Sequence, residues 1–200
     1  MNFLAHCLLA DQAGLSNPQI HDGLLAGAVI GDFVKGGVPP DWPVPLQQGV
    51  KLHRKVDALS NRNPYTKSAC SAFPQHLRRY APIYLDLLSD YHLSHRWQQL
   101  RDDPIEDFAN RCYSAIQSYQ SYLTPQGKCF YTYLVEQSLL ANYHQWIHIE
   151  QALHSVMRRL NKVELSSAAI ETCAALRQET ANDCLELIQD LSRQLSSWQP

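Results

Sequence analysis

Charge is scarce in this chain of 200 residues: Asp, Glu, Lys and Arg together make up 18%, and the formal net charge is −2. That leaves no global basic field of the kind that marks a nucleic-acid binder. Paired cysteines are missing too. The six thiols at positions 7, 70, 112, 129, 173 and 184 contain no C-x-x-C, which argues against a disulfide scaffold and for a reducing cytoplasm. None of the patterns G-x-x-x-x-G-K-[ST], G-x-G-x-x-G or G-x-S-x-G occurs, so P-loop, dinucleotide-fold and α/β-hydrolase chemistries drop out. The longest apolar stretch, Gly23 to Gly31, is far too short to span a bilayer, and the first residues carry no basic leader pattern. A cytoplasmic protein that engages no membrane is therefore expected. Val, Ile and Thr never alternate with polar residues over a strand length, and neither a fixed-period repeat nor a low-complexity tract is visible.

What remains is helical periodicity. At 45% apolar, the length suits one domain with a real core. The expectation is an all-α, compact single-domain bundle over residues 1–200, with roughly seven to nine helices. Asn2 is placed to cap a first helix, and Asn17-Pro18 to open a second that ends near Gly36-Gly37. A proline-broken loop over 38–45 precedes a helix from about Leu46 to Ser60, closed by Asn63-Pro64. Another helix is read from Pro82 to about Leu100. Asp103-Pro104 and Thr124-Pro125 each set a capping side chain before a proline, the second opening a helix to about Tyr143. Gly23, Gly27 and Gly31 recur every four residues, a bare stripe where a second helix can approach closely.

Ligand-type residues are spread over these helices. His53 and Asp57 stand four apart and share a helix face, as do Asp86 and Asp90. Imidazole and carboxylate together suit Mn²⁺, Fe²⁺ or Zn²⁺. Two like charges on one face repel, so a cation or an arginine is their natural companion. His6 interrupts an apolar run and Asp32 follows one. Each has a plainer reading: a surface pair for His53 and Asp57, two solvated acids for Asp86 and Asp90, a satisfied core histidine for His6. Collectively they point to a divalent metal held between helices. His144 and His148 are also four apart, but no acid completes a metalloprotease pattern, and they read as structural or surface residues. The tyrosines from 113 to 133 and Trp146 read as packing or a groove wall.

Basic residues concentrate in the middle. Ten of the 17 Lys and Arg fall between Lys35 and Arg101, where five acids also lie if Asp32 is counted, four of them candidate ligands; the last hundred residues are acidic. An acidic partner would find that middle stretch attractive.

The segments Met-Asn-Phe-Leu-Ala-His at 1–6, Gly31-Asp32-Phe33-Val34-Lys35-Gly36, Gly49-Val-Lys-Leu-His-Arg-Lys-Val-Asp57, and Arg78-Arg79 followed by Leu85-Asp86-Leu-Leu-Ser-Asp90 and Trp97 resemble the acyl carrier protein phosphodiesterases. That resemblance implies an all-α fold distantly related to HD-type metal phosphohydrolases. It also implies hydrolysis of the phosphodiester between 4′-phosphopantetheine and the serine of holo-acyl carrier protein, leaving the apo form, with Mn²⁺ or Mg²⁺ required; the cofactor expected is a divalent ion, Mn²⁺ first and Mg²⁺ or Fe²⁺ as alternatives. Carried over by position, the functional residues are His6, Asp32, His53, Asp57, Asp86 and Asp90. Residue chemistry then divides the roles: His6, Asp32, Asp86 and Asp90 as metal ligands, Asp57 and His53 as catalytic groups around a metal-activated water, and Lys35, Arg54 and Arg79 on the phosphate. In one departure, the family often reads Asp-His where this chain has Asp90-Tyr91-His92. Two other functions stay open from the residues alone: a hydrolase of nucleotides or other small phosphoesters, and a non-catalytic helical module that binds carrier proteins.

Overall fold

The structure is a computed structural model that describes residues 2–196 and 198. No strand occurs among the described residues, as the all-α expectation requires. The helices run α1 (Phe3–Gly14), α2 (His21–Ile30), α3 (Val44–Arg62), α4 (Pro64–Ser71), α5 (Gln75–Arg78), α6 (Ala81–His95), α7 (Trp97–Leu100), α8 (Ile105–Ser118), α9 (Pro125–Glu136), α10 (Leu139–Asn142), α11 (Trp146–Arg159), α12 (Ser166–Leu176) and α13 (Ala181–Leu195), with single 3-10 turns at Gly31–Phe33, Gln120–Tyr122 and Val163–Leu165.

These 13 helices exceed the expected seven to nine, because stretches read as continuous are broken. Ser138 adopts a left-handed backbone (φ 44°) and separates α9 from α10; Arg96 (φ −109°, ψ 15°) parts α6 from α7. Three helices, α5, α7 and α10, are single turns of four residues. Helix starts also differ in detail. Thr124 caps α9 as expected, its Oγ1 accepting from Gly127 N at 3.1 Å. Asn63 closes α3 as expected and also caps α4, its side chain accepting from Tyr65 N at 3.0 Å. Asn17-Pro18 forms a turn, and α2 begins only at His21. Asp103 makes no cap for α8; its carboxylate holds the guanidinium groups of Arg101 and Arg111 instead.

Helix α2 is buried from Gly23 to Ile30 and packs against α1, α3 and α8. Its glycine stripe faces α3, as the spacing predicts. A Cβ on Gly23 would meet Pro45 at 2.4 Å, one on Gly27 would meet the backbone of Gly49 at 2.3 Å, and one on Gly31 would meet the His53 ring at 2.5 Å. Only glycine allows so close an approach. From the other side α13 packs on α4, α6 and α1 and buries Cys184, Leu187, Ile188, Leu191 and Leu195. Each such aliphatic side chain contributes about 1.5–3 kcal/mol on burial. All six cysteines are free thiols; Cys7, Cys112, Cys173 and Cys184 are buried. Among the described residues no helix is long and apolar enough to cross a membrane.

Candidate metal centre

The glycine ladder sets the register of the site. On α3 the residues Pro45, Gly49 and His53 face Gly23, Gly27 and Gly31 in turn, and Asp57 is the next residue on that row. The last rung is chemical rather than structural: with no side chain on Gly31, the His53 ring lies against the 3-10 turn. Its Nδ1–H donates to Ala28 O at 3.0 Å, which directs Nε2 at Asp32 Oδ1 (3.6 Å) and Asp57 Oδ2 (3.3 Å). From α1 the His6 ring stacks on His53, centroids 4.1 Å apart and 19° from parallel, and its Nε2–H donates to Asp57 Oδ1 at 3.0 Å.

His6, His53 and Asp57 each bring a ligand atom to within 4.8 Å of the others. The two imidazoles form the floor, 2% and 4% exposed. The carboxylates form the rim, with the Asp57 and Asp32 side chains 40% and 50% exposed. Burial opposes a charge on His53, but the Asp32 and Asp57 carboxylates override it and raise its pKa to about 9. Burial, and next to it the charge of His53, lowers His6 to about 4. Burial also opposes the charges on Asp57 and Asp32, yet the hydrogen bonds from the histidines hold both carboxyls below the usual range. Two carboxylates thus surround a ring that keeps its proton, a place prepared for positive charge. Two imidazole nitrogens and two carboxylates fit Mn²⁺, Fe²⁺ or Zn²⁺, and a histidine backed by a backbone carbonyl is the usual support for a metal ligand. The buried Nδ1 of His6 has no hydrogen-bond partner, so that ring is steered from its Nε2 side alone.

The other expected site residues are placed less uniformly. Asp86 on α6 is partly buried and lies outside the compact ligand group; burial pushes its carboxyl up. Asp90 does not join it. Fully buried, it accepts from the backbone N–H of Leu4 at Oδ2 (2.8 Å) and of Ala5 at Oδ1 (2.9 Å). The expectation of a metal ligand is corrected there: with both oxygens turned to the open amides of α1, Asp90 does the capping that was read for Asn2, which makes no side-chain cap. Lys35 is exposed just past Asp32, and Arg54 donates through one terminal nitrogen to Val34 O at 3.0 Å, so both stand beside the rim. Arg79 lies on the turn before α6, its guanidinium over the Tyr80 ring at 5.1 Å, a contact that does not bring it to the histidines. His148 is buried and His144 donates through Nδ1 to Ala141 O at 3.1 Å; neither joins the ligand group.

Sequence reasoning passed over the rim's aromatic side. Phe3 lies one turn before His6, Phe33 follows Asp32, and Phe130 of α9 packs on both, with centroids at 4.6 Å and 5.6 Å. The adjacency of Phe3 and Phe33 to ligands was a usable signal; Phe130 carried none.

Comparison with known proteins adds a family to this geometry. Residues 1–191 match the family model described as acyl carrier protein phosphodiesterase. A protein named acyl carrier protein phosphodiesterase from Pectobacterium atrosepticum is 31% identical over 172 residues, covering 86% of this chain and 85% of the relative. One of the same name from Enterobacter sp. (strain 638) is 30% identical over 165 residues, 82% of this chain and 81% of its own length. A third, from Salmonella paratyphi A, is 28% identical over the same span. No solved structure matches the chain.

Proposed function

Since the chain belongs to the acyl carrier protein phosphodiesterase family, we propose that it hydrolyses the phosphodiester joining 4′-phosphopantetheine to the serine of holo-acyl carrier protein, with a divalent cation held by His6, His53, Asp57 and Asp32. The observation that carries this reading is the convergence of His6 and Asp57, 51 positions apart, at 3.0 Å on a floor formed by His53. Manganese is the first choice for this donor set, magnesium or iron the next. When bound, the ion lowers the pKa of water and offsets charge building on the phosphoryl oxygens.

The protein's own groups then divide the work. The Ala28 carbonyl fixes the ring of His53, so its Nε2 points into the centre. Asp57 was expected as a general base, but a carboxyl held so far down is a poor proton acceptor near neutral pH and a good ligand. Lys35 and Arg54 stand where they can hold phosphate oxygens beside Asp32. The face of α3 turned away from the His53 row exposes Lys51, Lys55 and Arg62. Those charges would steer an acidic carrier protein to the rim with a rate that falls as salt rises. The substrate makes the cytoplasm the place of action, and distant kinship with the HD-type phosphohydrolases, which the family resemblance implies, is part of the proposal.

Incubation with holo-acyl carrier protein and Mn²⁺, followed by intact-mass measurement, tests this. Loss of the prosthetic group is expected, chelator-sensitive, and reduced by about 10²-fold or more in His53→Ala and Asp57→Ala, equal to roughly 2.7 kcal/mol of transition-state stabilisation. An unchanged carrier mass alongside hydrolysis of bis(p-nitrophenyl) phosphate would move the substrate class to small phosphoesters. Absence of both activities and of bound metal would leave a carrier-binding module.

A further inference from the structure

Resting on that reading of the site, we infer that Phe3, Phe33 and Phe130 form the subsite that grips the pantetheine arm of the substrate. The three rings come from α1, from the 3-10 turn and from α9, and they meet as one tilted group: Phe3 and Phe130 at 4.6 Å and 36°, Phe33 and Phe130 at 5.6 Å and 38°. Two of the three are tied to the metal centre by the chain itself. Phe3 and His6 share a face of α1, three residues apart, and Phe33 adjoins Asp32.

All three pack against the core, but none is fully covered by it. Phe73 and Phe108 are 0% exposed, whereas Phe3, Phe33 and Phe130 are each only partly covered. Helix α9 buries just Gly127 and Leu134 among its 12 residues. It is seated tightly at one point, where a Cβ on Gly127 would lie 2.8 Å from Leu123 Cδ2 and 3.2 Å from Phe33 Cγ. From that anchor it displays Phe130, with the ring of Tyr133 next at 6.4 Å and 38% exposed. The result is a partly exposed apolar bank joined to the centre through α1 and the 3-10 turn; Lys35 follows Phe33 by two residues, and Arg54 bonds the Val34 carbonyl between them.

The arm matches this order of groups. One methylene from its phosphate comes a carbon bearing two methyl groups, then a hydroxyl-bearing carbon, two amides and a terminal thiol. The bulky dimethyl carbon must land directly beside whatever holds the phosphate, and partly wet phenyl rings recover apolar burial there. The terminal thiol would also be favourable near the Tyr133 ring.

The test measures kcat and KM on holo-acyl carrier protein with Mn²⁺ for the intact chain and for Phe130→Ala and Phe130→Leu. It also measures inhibition by free 4′-phosphopantetheine against inorganic phosphate. Phe130→Ala should raise KM about tenfold while kcat falls less than about threefold, with Phe130→Leu in between. The inhibition constant of 4′-phosphopantetheine should rise by a similar factor, and that of phosphate by far less. Equal weakening of both inhibitors, or a fall in kcat at constant KM, would overturn the subsite and leave Phe130 a packing residue; so would wild-type values throughout, with the proposed reaction intact. If the intact chain failed to turn over holo-carrier protein yet lost 4′-phosphopantetheine binding on Phe130→Ala, the subsite would stand and the proposed reaction would fall. Should Phe130→Ala prove unfolded by circular dichroism, Phe130→Leu and Phe3→Leu answer the same question.

Discussion

Gly31 lacks a side chain where the His53 ring needs room, and the centre depends on that one missing carbon. In Gly31→Ala the added Cβ would sit 2.5 Å from His53 Cγ, well inside contact distance, so ring or turn must shift. Overpacking of this kind costs about 1–3 kcal/mol of stability. Because the ring is also a ligand, the expected outcome is a larger loss of Mn²⁺ affinity than of stability, read by metal titration alongside thermal melting; a destabilised variant with wild-type metal affinity would refute the coupling. At this scale the sequence was partly readable. The four-residue spacing of His53 and Asp57 placed them on one face, and His6 joined them as expected. Asp90 was misread because i,i+4 spacing reports a shared helix face and says nothing about which neighbour that face meets. Its partners are two amides 85 and 86 positions away, which no local pattern reveals.

Among the elements, α1 shows how a helix can depend on another helix for its start. Its first turn contributes His6, and the open N–H groups of that turn end on Asp90 of α6. Asp90→Ala leaves two buried donors without partners, a cost of about 2–4 kcal/mol. A lower denaturant midpoint at unchanged slope is expected, with weaker metal binding as α1 frays. Asp90→Asn, which keeps one acceptor, should fall between; an alanine variant as stable as the parent would show that the contact contributes nothing. Helix existence was legible from the cap before Pro125, because a proline at the first turn leaves few alternatives, whereas Asn63-Pro64 read only as the end of α3 and hid the start of α4. Helix continuity was not. The left-handed Ser138 is held by its surroundings, and a serine there gives no warning of the break it makes.

For the whole molecule, proton binding shapes stability in a way that metal should reverse. In the metal-free protein His6 and His92 are pushed down to about 4, each chiefly by burial, so between pH 6.5 and 4 the unfolded chain holds protons that the folded one lacks. Stability is therefore lost as pH falls through that window. Asp90, raised to about 7 by burial, works the other way across all of that window, and Asp86, also raised by burial, works with it; His95 and His148, lowered by burial, add to the loss, so four histidines stand against two carboxyls. Above pH 6.5 the sign changes: His53, raised to about 9 by its carboxylates against burial, contributes stability below 6.5 that disappears as pH climbs through 9. Melting temperatures in chelator should thus peak near pH 6.5 and fall on both sides. His53→Ala should flatten the alkaline limb and His92→Gln the acid one. An alkaline limb that survives His53→Ala would disprove the assignment. Saturating Mn²⁺ should erase the alkaline decline, since a bound ion replaces the proton on His53 and binds more tightly as pH rises.

The rungs between α2 and α3 also constrain how this protein can drift. A bulky residue in an ordinary interface is relieved by trimming its neighbour, but Gly27 meets the backbone of Gly49, which has nothing left to trim. Second-site suppression is closed at that rung. A change there needs the two axes to move apart, and the same displacement carries His53 away from His6. Interhelical distance and coordination chemistry are thus inherited as one trait, and a lineage can lose both together far more easily than it can retune either.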